Sequence, residues 1–255
     1  MKLDVLVAPA FLKEDDLTGC QCAVIDVLRA TSTIITALVS GAAAVHPCLD
    51  IAEARRDVSG LGRERYLLGG EDMGQHIPGF DMGNSPLEYM VEDVVAGKDI
   101  YFYTSNGTGA IRRAHAGSGK PVYIAALLNL SAVSSAIVKA ASTGSLDGIV
   151  ILCAGRYGNP SAEDFFCAGL LVRKLISGLR ESGIETQPGD SAIIAAGFAT
   201  AREGQRIDVL ASSDHGRFLR SIGFESDLEF ASELDFYDAV PIFDGERVAL
   251  LDRAS

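Results

Sequence analysis

Seven short apolar runs, spaced by helix-sized segments, constrain this chain more than any other feature. They are "LDVLVA" (3–8), "CAVIDVL" (22–28), "AAVHPCL" (43–49), "YLLGG" (66–70), "DIYFYTS" (99–105), "PVYIAAL" (121–127) and "GIVILCA" (148–154). A strand with one wet face alternates apolar and polar residues. Several of these runs are apolar throughout, as strands covered on both faces are. Helix candidates lie between them near 31–41, 51–59, 86–96, 107–115 and 129–143. The alternation predicts an α/β fold, a three-layer α/β/α arrangement on a largely parallel or mixed sheet.

The last hundred residues read differently. A long helix is expected over about 161–182, with Ser161 and Asp164 as cap and first-turn acid and Gly183 as stop. Further helices are expected near 189–200, 203–212 and 214–221. The chain then closes on "AVPIFDGERVALL", where Asp244-Gly245 separates two apolar runs as in a β-hairpin. With no repeat, low-complexity tract or flexible linker, residues 1–255 read as one unit. It could comprise two lobes, an alternating β/α part (about 1–155) and a helix-rich part with the hairpin (156–255).

A formal net charge of −12 argues against nucleic-acid binding, which needs a basic face to displace counterions. It does not argue against a small anionic substrate, because distant surface acids are screened beyond a Debye length of about 8 Å. No run approaches the ~20 apolar residues that span a bilayer. The amino end lacks the pattern of a signal peptide. The five cysteines (20, 22, 48, 153 and 167) sit mostly in apolar runs, with no C-x-x-C pair, so buried free thiols in a reducing cytoplasm are expected. A homodimer is the expectation for an α/β enzyme of this size.

Ligands of α/β sheets bind beyond the carboxyl ends of the strands, where loops meet helix amino termini. Four polar stretches follow strand candidates and should converge there. In "IDVLRATST", Thr31 or Ser32 can cap the next helix and Arg29 offers a forked donor for an oxyanion. Asp26 then either serves a cation or a proton, or pairs with Arg29 to close the strand end; the spacing leaves both open. In "GGEDMGQHIPGFDMGNSP" (69–86), Glu71 is a hard ligand suited to Mg²⁺, and Asn84 and Ser85 precede Pro86 as an N-cap. His76 and Asp81 in the same loop are weaker candidates. In "TSNGT", Ser105, Asn106, Gly107 and Thr108 can present donors to an anion. In "CAGRYGNPSAED", Arg156 sits in the loop and Glu163-Asp164 in the next first turn, where acids either complement the helix dipole or hold a metal. "SSDHGRFL" adds His215 and Arg217 at a helix start.

Several familiar chemistries fail. The glycine pattern after residue 106 has Arg112 where a dinucleotide fingerprint needs a third Gly, and "AGSGKP" lacks the first Gly of a P-loop. Asp26 is followed two positions on by Leu28, which excludes the Asp-x-Asp pair of haloacid-dehalogenase-type phosphatases. "CAGLLVR" has the Cys-to-Arg spacing of a tyrosine-phosphatase loop but is an apolar mid-helix segment.

Taken together, "VIDVLRATSTI", "GE…G…IPGFDMGNSPLEY", "TSNGT", "CAGRYG…EDFFCAG" and "HGRFL…GFESDLEF…DFYDAVP" resemble the 2-phosphosulfolactate phosphatase (ComB) family over about residues 3–245. The resemblance implies a three-layer α/β fold and a Mg²⁺-dependent phosphatase. Its expected reaction is hydrolysis of (R)-2-phospho-3-sulfolactate to 3-sulfolactate and phosphate, a step toward coenzyme M. On this reading Asp26, Arg29 and Glu71 are catalytic, and Asp26, Glu71, Glu163 and Asp164 are the acids available to Mg²⁺. The substrate would be bound by Arg29, Thr31, Ser32, Asn84, Ser85, Ser105, Asn106, Gly107, Thr108, Arg156, His215 and Arg217. Two alternatives stay open: a phosphatase for another small phosphorylated carboxylic acid, and an anion- or nucleotide-binding module without turnover.

Overall fold

A computed structural model describes residues 1–13, 16–144 and 146–251. In chain order the elements are β1 (Lys2–Leu6), β2 (Cys20–Ile25), α1 (Ala30–Val39), β3 (Ala44–Cys48), α2 (Ile51–Asp57), β4 (Tyr66–Asp72), β5 (Gln75–His76), α3 (Glu92–Val95), β6 (Asp99–Tyr103), α4 (Gly107–Ser118), β7 (Val122–Ala125), α5 (Leu130–Thr143), β8 (Gly148–Cys153), α6 (Ala162–Glu181), β9 (Gln187–Pro188), α7 (Asp190–Ala201), α8 (Arg206–Ser212), α9 (Asp214–Ser221), α10 (Glu225–Ala231), β10 (Pro241–Phe243) and β11 (Val248–Leu250). The fold is α/β on one mixed eleven-stranded sheet, ordered β5-β4-β6-β3-β11-β10-β7-β2-β8-β1-β9.

The continuous apolar strands are covered on both faces, as read. Along β2 and β8, Ala23, Ile25, Ile149 and Ile151 face a core shared with α5, α6 and α7. Their neighbours Cys22, Val24, Val150 and Leu152 face a second core with α1 and α4. Helices therefore lie on both sides of this part of the sheet, consistent with α/β/α layering. Helix α1 is buried from Ala30 to Leu38. Its hydroxyls find backbone acceptors: Ser32 donates to the Val27 carbonyl (2.8 Å), Thr33 to that of Asn84 (2.8 Å) and Thr36 to that of Ser32 (2.8 Å). Burial of polar groups is tolerated because they are paired.

The carboxy-terminal hairpin forms, but in the middle of the sheet. Strand β10 pairs with β7 and β11 with β3, both antiparallel, so the hairpin joins two parallel groups, β4-β6-β3 and β7-β2-β8-β1-β9. Three successive antiparallel pairings separate the groups, which would point their carboxyl ends in opposite senses. Strand twist, on the order of 100° over the five steps from β6 to β2, turns the two senses toward a common cleft. At the hairpin turn, Asp244 Oδ1 accepts the amides of Glu246 and Arg247 (2.9 Å each), and Gly245 takes φ +112°, open to a residue without Cβ.

Three element boundaries and one whole element differ from the sequence reading. Strand β2 stops at Ile25, because the Asp26 amide donates to Thr31 Oγ1 (3.0 Å) instead of a strand neighbour. Strand β4 runs on through Glu71, which pairs with His76 of β5, so Glu71 stands on a strand and not in a loop. The segment 86–96 is a 3₁₀ turn (Pro86–Met90) and then α3, broken where Val91 turns extended (φ −94°, ψ 91°). Helix α10 was not anticipated. The five cysteines are free and buried. Among the described residues no helix is long and apolar enough to cross a membrane.

The hairpin's role in joining the sheet can be tested at Phe243, which is fully buried in the core with α1 and α4. Phe243→Ala should lower the unfolding free energy by about 3–5 kcal/mol in urea denaturation; an effect below about 1 kcal/mol would mean that the hairpin is peripheral to stability.

Candidate active site

Asp26 directly follows β2 and lines a small polar pocket. Asp26, Leu28, Arg29, Glu71, Gly74, Asn84, Ser105, Asn106, Arg156, Tyr157, His215 and Phe218 line it. Strand ends from both parallel groups supply most of these residues, with β2 and β8 on one side and β4 and β6 on the other, while Asn84 comes from the loop after β5 and His215 and Phe218 from α9.

Asp26 accepts the Ala30 amide on Oδ1 (3.3 Å), and Thr31 Oγ1 donates to its carbonyl (2.8 Å). A Cβ on Gly107 would lie 2.6 Å from Asp26 Oδ2 and 2.4 Å from Ala30 Cβ, so glycine lets the amino end of α4 approach this carboxylate. Burial pushes Asp26 up to about 7, with the nearby Glu71 and Glu163 adding to the rise. No Asp26–Arg29 ion pair forms. Arg29 instead bonds Asp227 (Nη1 to Oδ2, 2.6 Å), which also accepts from Ser85 Oγ (2.6 Å), and its guanidinium lies over the Phe224 ring at 4.2 Å. The Leu28–Arg29 peptide is cis.

Glu71 is braced by the Ser105 amide on Oε1 (2.8 Å), and by the Gly74 amide and Ser105 Oγ on Oε2. Asn106 Oδ1 accepts the Tyr157 amide (2.8 Å), tying the loop after β6 to the loop after β8. Arg156 is held between two rings, 5.1 Å from that of Tyr157 and 4.7 Å from that of Phe218, and no ion pair joins it to an acid among the described residues. His215 is pushed down to about 3 by burial and by the Arg156 and Arg29 charges, so it is neutral near pH 7.

The remaining sequence candidates stand behind or beside this pocket. Asp164 is buried, with Oδ1 on the Val27 amide (2.8 Å) and Oδ2 on the Gly155 amide (3.0 Å). Glu163 is buried with one oxygen 3.7 Å from His215 Nδ1; the other has no hydrogen-bond partner among the described residues. Burial raises both acids, and neighbouring carboxylates add to it. Thr31 and Ser32 bond local backbone, and Thr108 exchanges bonds with Thr104, so these hydroxyls shape the loops. Ser85 faces Asp227. Arg217 is exposed, pairs with Asp214 and does not line the pocket. His76 is exposed on β5, and Asp81 pairs with Arg63. Sequence reasoning passed over Gly74, Tyr157, Phe218 and, behind Arg29, Phe224 and Asp227.

A profile of the family described as 2-phosphosulpholactate phosphatase matches residues 6–246. The chain belongs to this family of phosphoric monoester hydrolases. It is 40% identical over 238 residues to a protein of Symbiobacterium thermophilum named "Probable 2-phosphosulfolactate phosphatase", covering 93% of this chain and 97% of the relative. Relatives with the same name in Thermotoga petrophila (39% over 240 residues, 94% of each chain) and Clostridium botulinum (32% over 253 residues, 98% and 100%) are similar along their whole length.

The pocket can be tested for Mg²⁺. Among the described residues no three His, Cys, Asp or Glu side chains cluster tightly enough to cage an ion. Mg²⁺ rarely needs such a cage, since one or two carboxylates with substrate oxygens and water suffice. Asp26 and Glu71 face the pocket, and Asn84 Oδ1 there is buried without a donor. These hard oxygens fit Mg²⁺.

The buried acids predict a pH signature. A carboxyl raised on folding contributes stability that is present below its unfolded pKa and lost as pH rises through the folded value. His215, depressed on folding, gives the opposite dependence, with stability lost as pH falls below its ordinary value. Between about pH 7 and 8.5 His215 is neutral in both states, so the chelated protein should lose roughly 1 kcal/mol per pH unit. Thermal denaturation in EDTA should show this decline, with a shallower slope in Asp26→Asn; a midpoint that is flat or rises with pH would contradict the assignment.

Proposed function

We propose that the protein hydrolyses (R)-2-phospho-3-sulfolactate to 3-sulfolactate and phosphate, a reaction of the coenzyme M biosynthetic type, with Mg²⁺ held by Asp26 and Glu71. Family membership supports the reaction class, and the observation that carries the site reading is Arg156. It is a guanidinium without an acid partner among the described residues, facing the pocket that Asp26 and Glu71 also line.

Charge balance supports a further cation. A substrate with a carboxylate, a sulfonate and a phosphate carries about four negative charges near neutral pH. Against it the pocket sets Arg156 and Arg29, the latter already paired with Asp227, offset by Asp26 and Glu71. Bound Mg²⁺ would supply charge for the phosphoryl oxygens. Arg29 and Arg156 bind and orient the anionic groups through forked donors. Neutral His215 can hydrogen-bond the substrate without adding charge. In the overall reaction the water oxygen ends on phosphorus, the bond from phosphorus to the C2 oxygen breaks, and that oxygen leaves with a proton. Positioning and electrostatics account for most of the acceleration in such transfers. The five buried free thiols support a reducing compartment, hence the cytoplasm.

Phosphate release from 2-phosphosulfolactate is the test. Wild type should be active with Mg²⁺ and inactive in EDTA, and Asp26→Asn should lower kcat/KM by roughly 100-fold or more. Normal turnover by Asp26→Asn, or in EDTA, would refute the assignment. Faster turnover of another phosphorylated carboxylic acid in a substrate panel would move the substrate and leave the chemistry.

A further inference from the structure

Helices α9 and α10 supply none of the pocket's carboxylates, yet they touch both of its arginines. Phe218 of α9 lies 4.7 Å beneath the Arg156 guanidinium. Phe224, at the amino end of α10, lies 4.2 Å beneath that of Arg29. A carboxylate partner occupies guanidinium N–H donors and cancels charge, whereas an aromatic face holds the cation by its quadrupole and leaves the N–H edge free. Arg156 stacks on the rings of Phe218 and Tyr157 and makes no ion pair among the described residues, although Glu163 is near enough to feel its charge, and Arg29 gives Nη1 to Asp227. The Phe218 ring is itself fixed. It is half-buried, lines the pocket, and abuts the β4–β5 turn so closely that a Cβ on Gly74 would come within 2.5 Å of it.

We propose that Phe218 and Phe224 are positioning residues that hold Arg156 and Arg29 by their faces, with the donor edges turned to the anions of the phosphorylated substrate. The inference rests on the phosphatase reading of the same pocket and adds residues outside the charged set. Preset guanidinium groups bind an anion without the entropic cost of ordering two long side chains at that moment. Water is also kept off one face of each cation, which strengthens its attraction for an anion. The bland alternative is that Phe218 only packs α9 against the β4–β5 turn.

The test is a double-mutant cycle between Phe218 and Arg156, read by kcat and KM on 2-phosphosulfolactate and by calorimetric binding of inorganic phosphate with Mg²⁺ present. Phe218→Leu keeps apolar bulk and removes the ring. It should raise KM and the phosphate Kd about 2- to 30-fold, with a smaller effect on kcat. Phe218→Tyr should restore wild-type values, and in an Arg156→Ala background Phe218→Leu should add nothing further. Phe224→Leu should behave alike toward Arg29. An unchanged Kd in Phe218→Leu, an equal loss in the Arg156→Ala background, or no phosphate binding by wild type would each overturn the proposal. If wild type binds phosphate but turns over no phosphorylated acid, the phosphatase reading fails, and the binding cycle still decides whether the rings position the arginines.

Discussion

Everything in the pocket hangs on Asp164, whose two oxygens bond the amides of Val27 and Gly155 and so tie together the chain ends that leave β2 and β8. The neighbouring Ala154 amide to Ile25 carbonyl bond (2.7 Å) completes the junction. Asp26 and Arg29 follow one of these strands, and Arg156 the other. A buried carboxylate costs several kcal/mol unless hydrogen bonds or charge compensate it, and here two backbone donors offset part of that cost. The acid that the sequence offers as a metal ligand thus acts as a brace. The dry environment opposes its ionisation and that of its neighbours Asp26 and Glu163 alike.

The same principle sorts the other buried polar groups. Asp227 is compensated by Arg29 and Ser85, and Glu71 by the amides of Gly74 and Ser105. Asp26 has the Ala30 amide on one oxygen, and its other oxygen lies against Gly107. Least compensated among the pocket acids, it is the group that a cation would serve most. Arg156 is its counterpart, a cation without an ion pair among the described residues. A dication and an anionic ligand would satisfy both at once.

Much of the fold was legible in the sequence, because a strand covered on both faces is apolar along most of its length, as β7, β8 and β2 from Cys22 onward are. The insertion of the hairpin between β3 and β7 was not legible. It depends on pairings between residues far apart in the chain, such as Ile242 with Tyr123, which no local pattern encodes. The break at Val91 and the existence of α10 escaped for a related reason: short elements owe their conformation to tertiary packing more than to propensity.

At the site, strand ends and glycine-rich loops pointed to Asp26, Arg29, Glu71, Asn84, Ser105, Asn106, Arg156 and His215, which line one pocket. Arg217 was singled out where its neighbour Phe218 lines the pocket, although helical spacing carried the signal. His215 and Phe218 stand at i and i+3 on one face, and Arg217 does not. Phe224 and Asp227 share the same spacing, but Asp227 sits among acids that read as a solvated surface, and only its partner Arg29, 198 residues away, shows that it is buried. The most direct test of the account is a crystal structure with Mg²⁺ and 3-sulfolactate. The account predicts the ion on Asp26 and Glu71, with the carboxylate and sulfonate oxygens on the donor edges of Arg29 and Arg156. An ion or ligand seated elsewhere, with the Asp26 pocket empty, would contradict it.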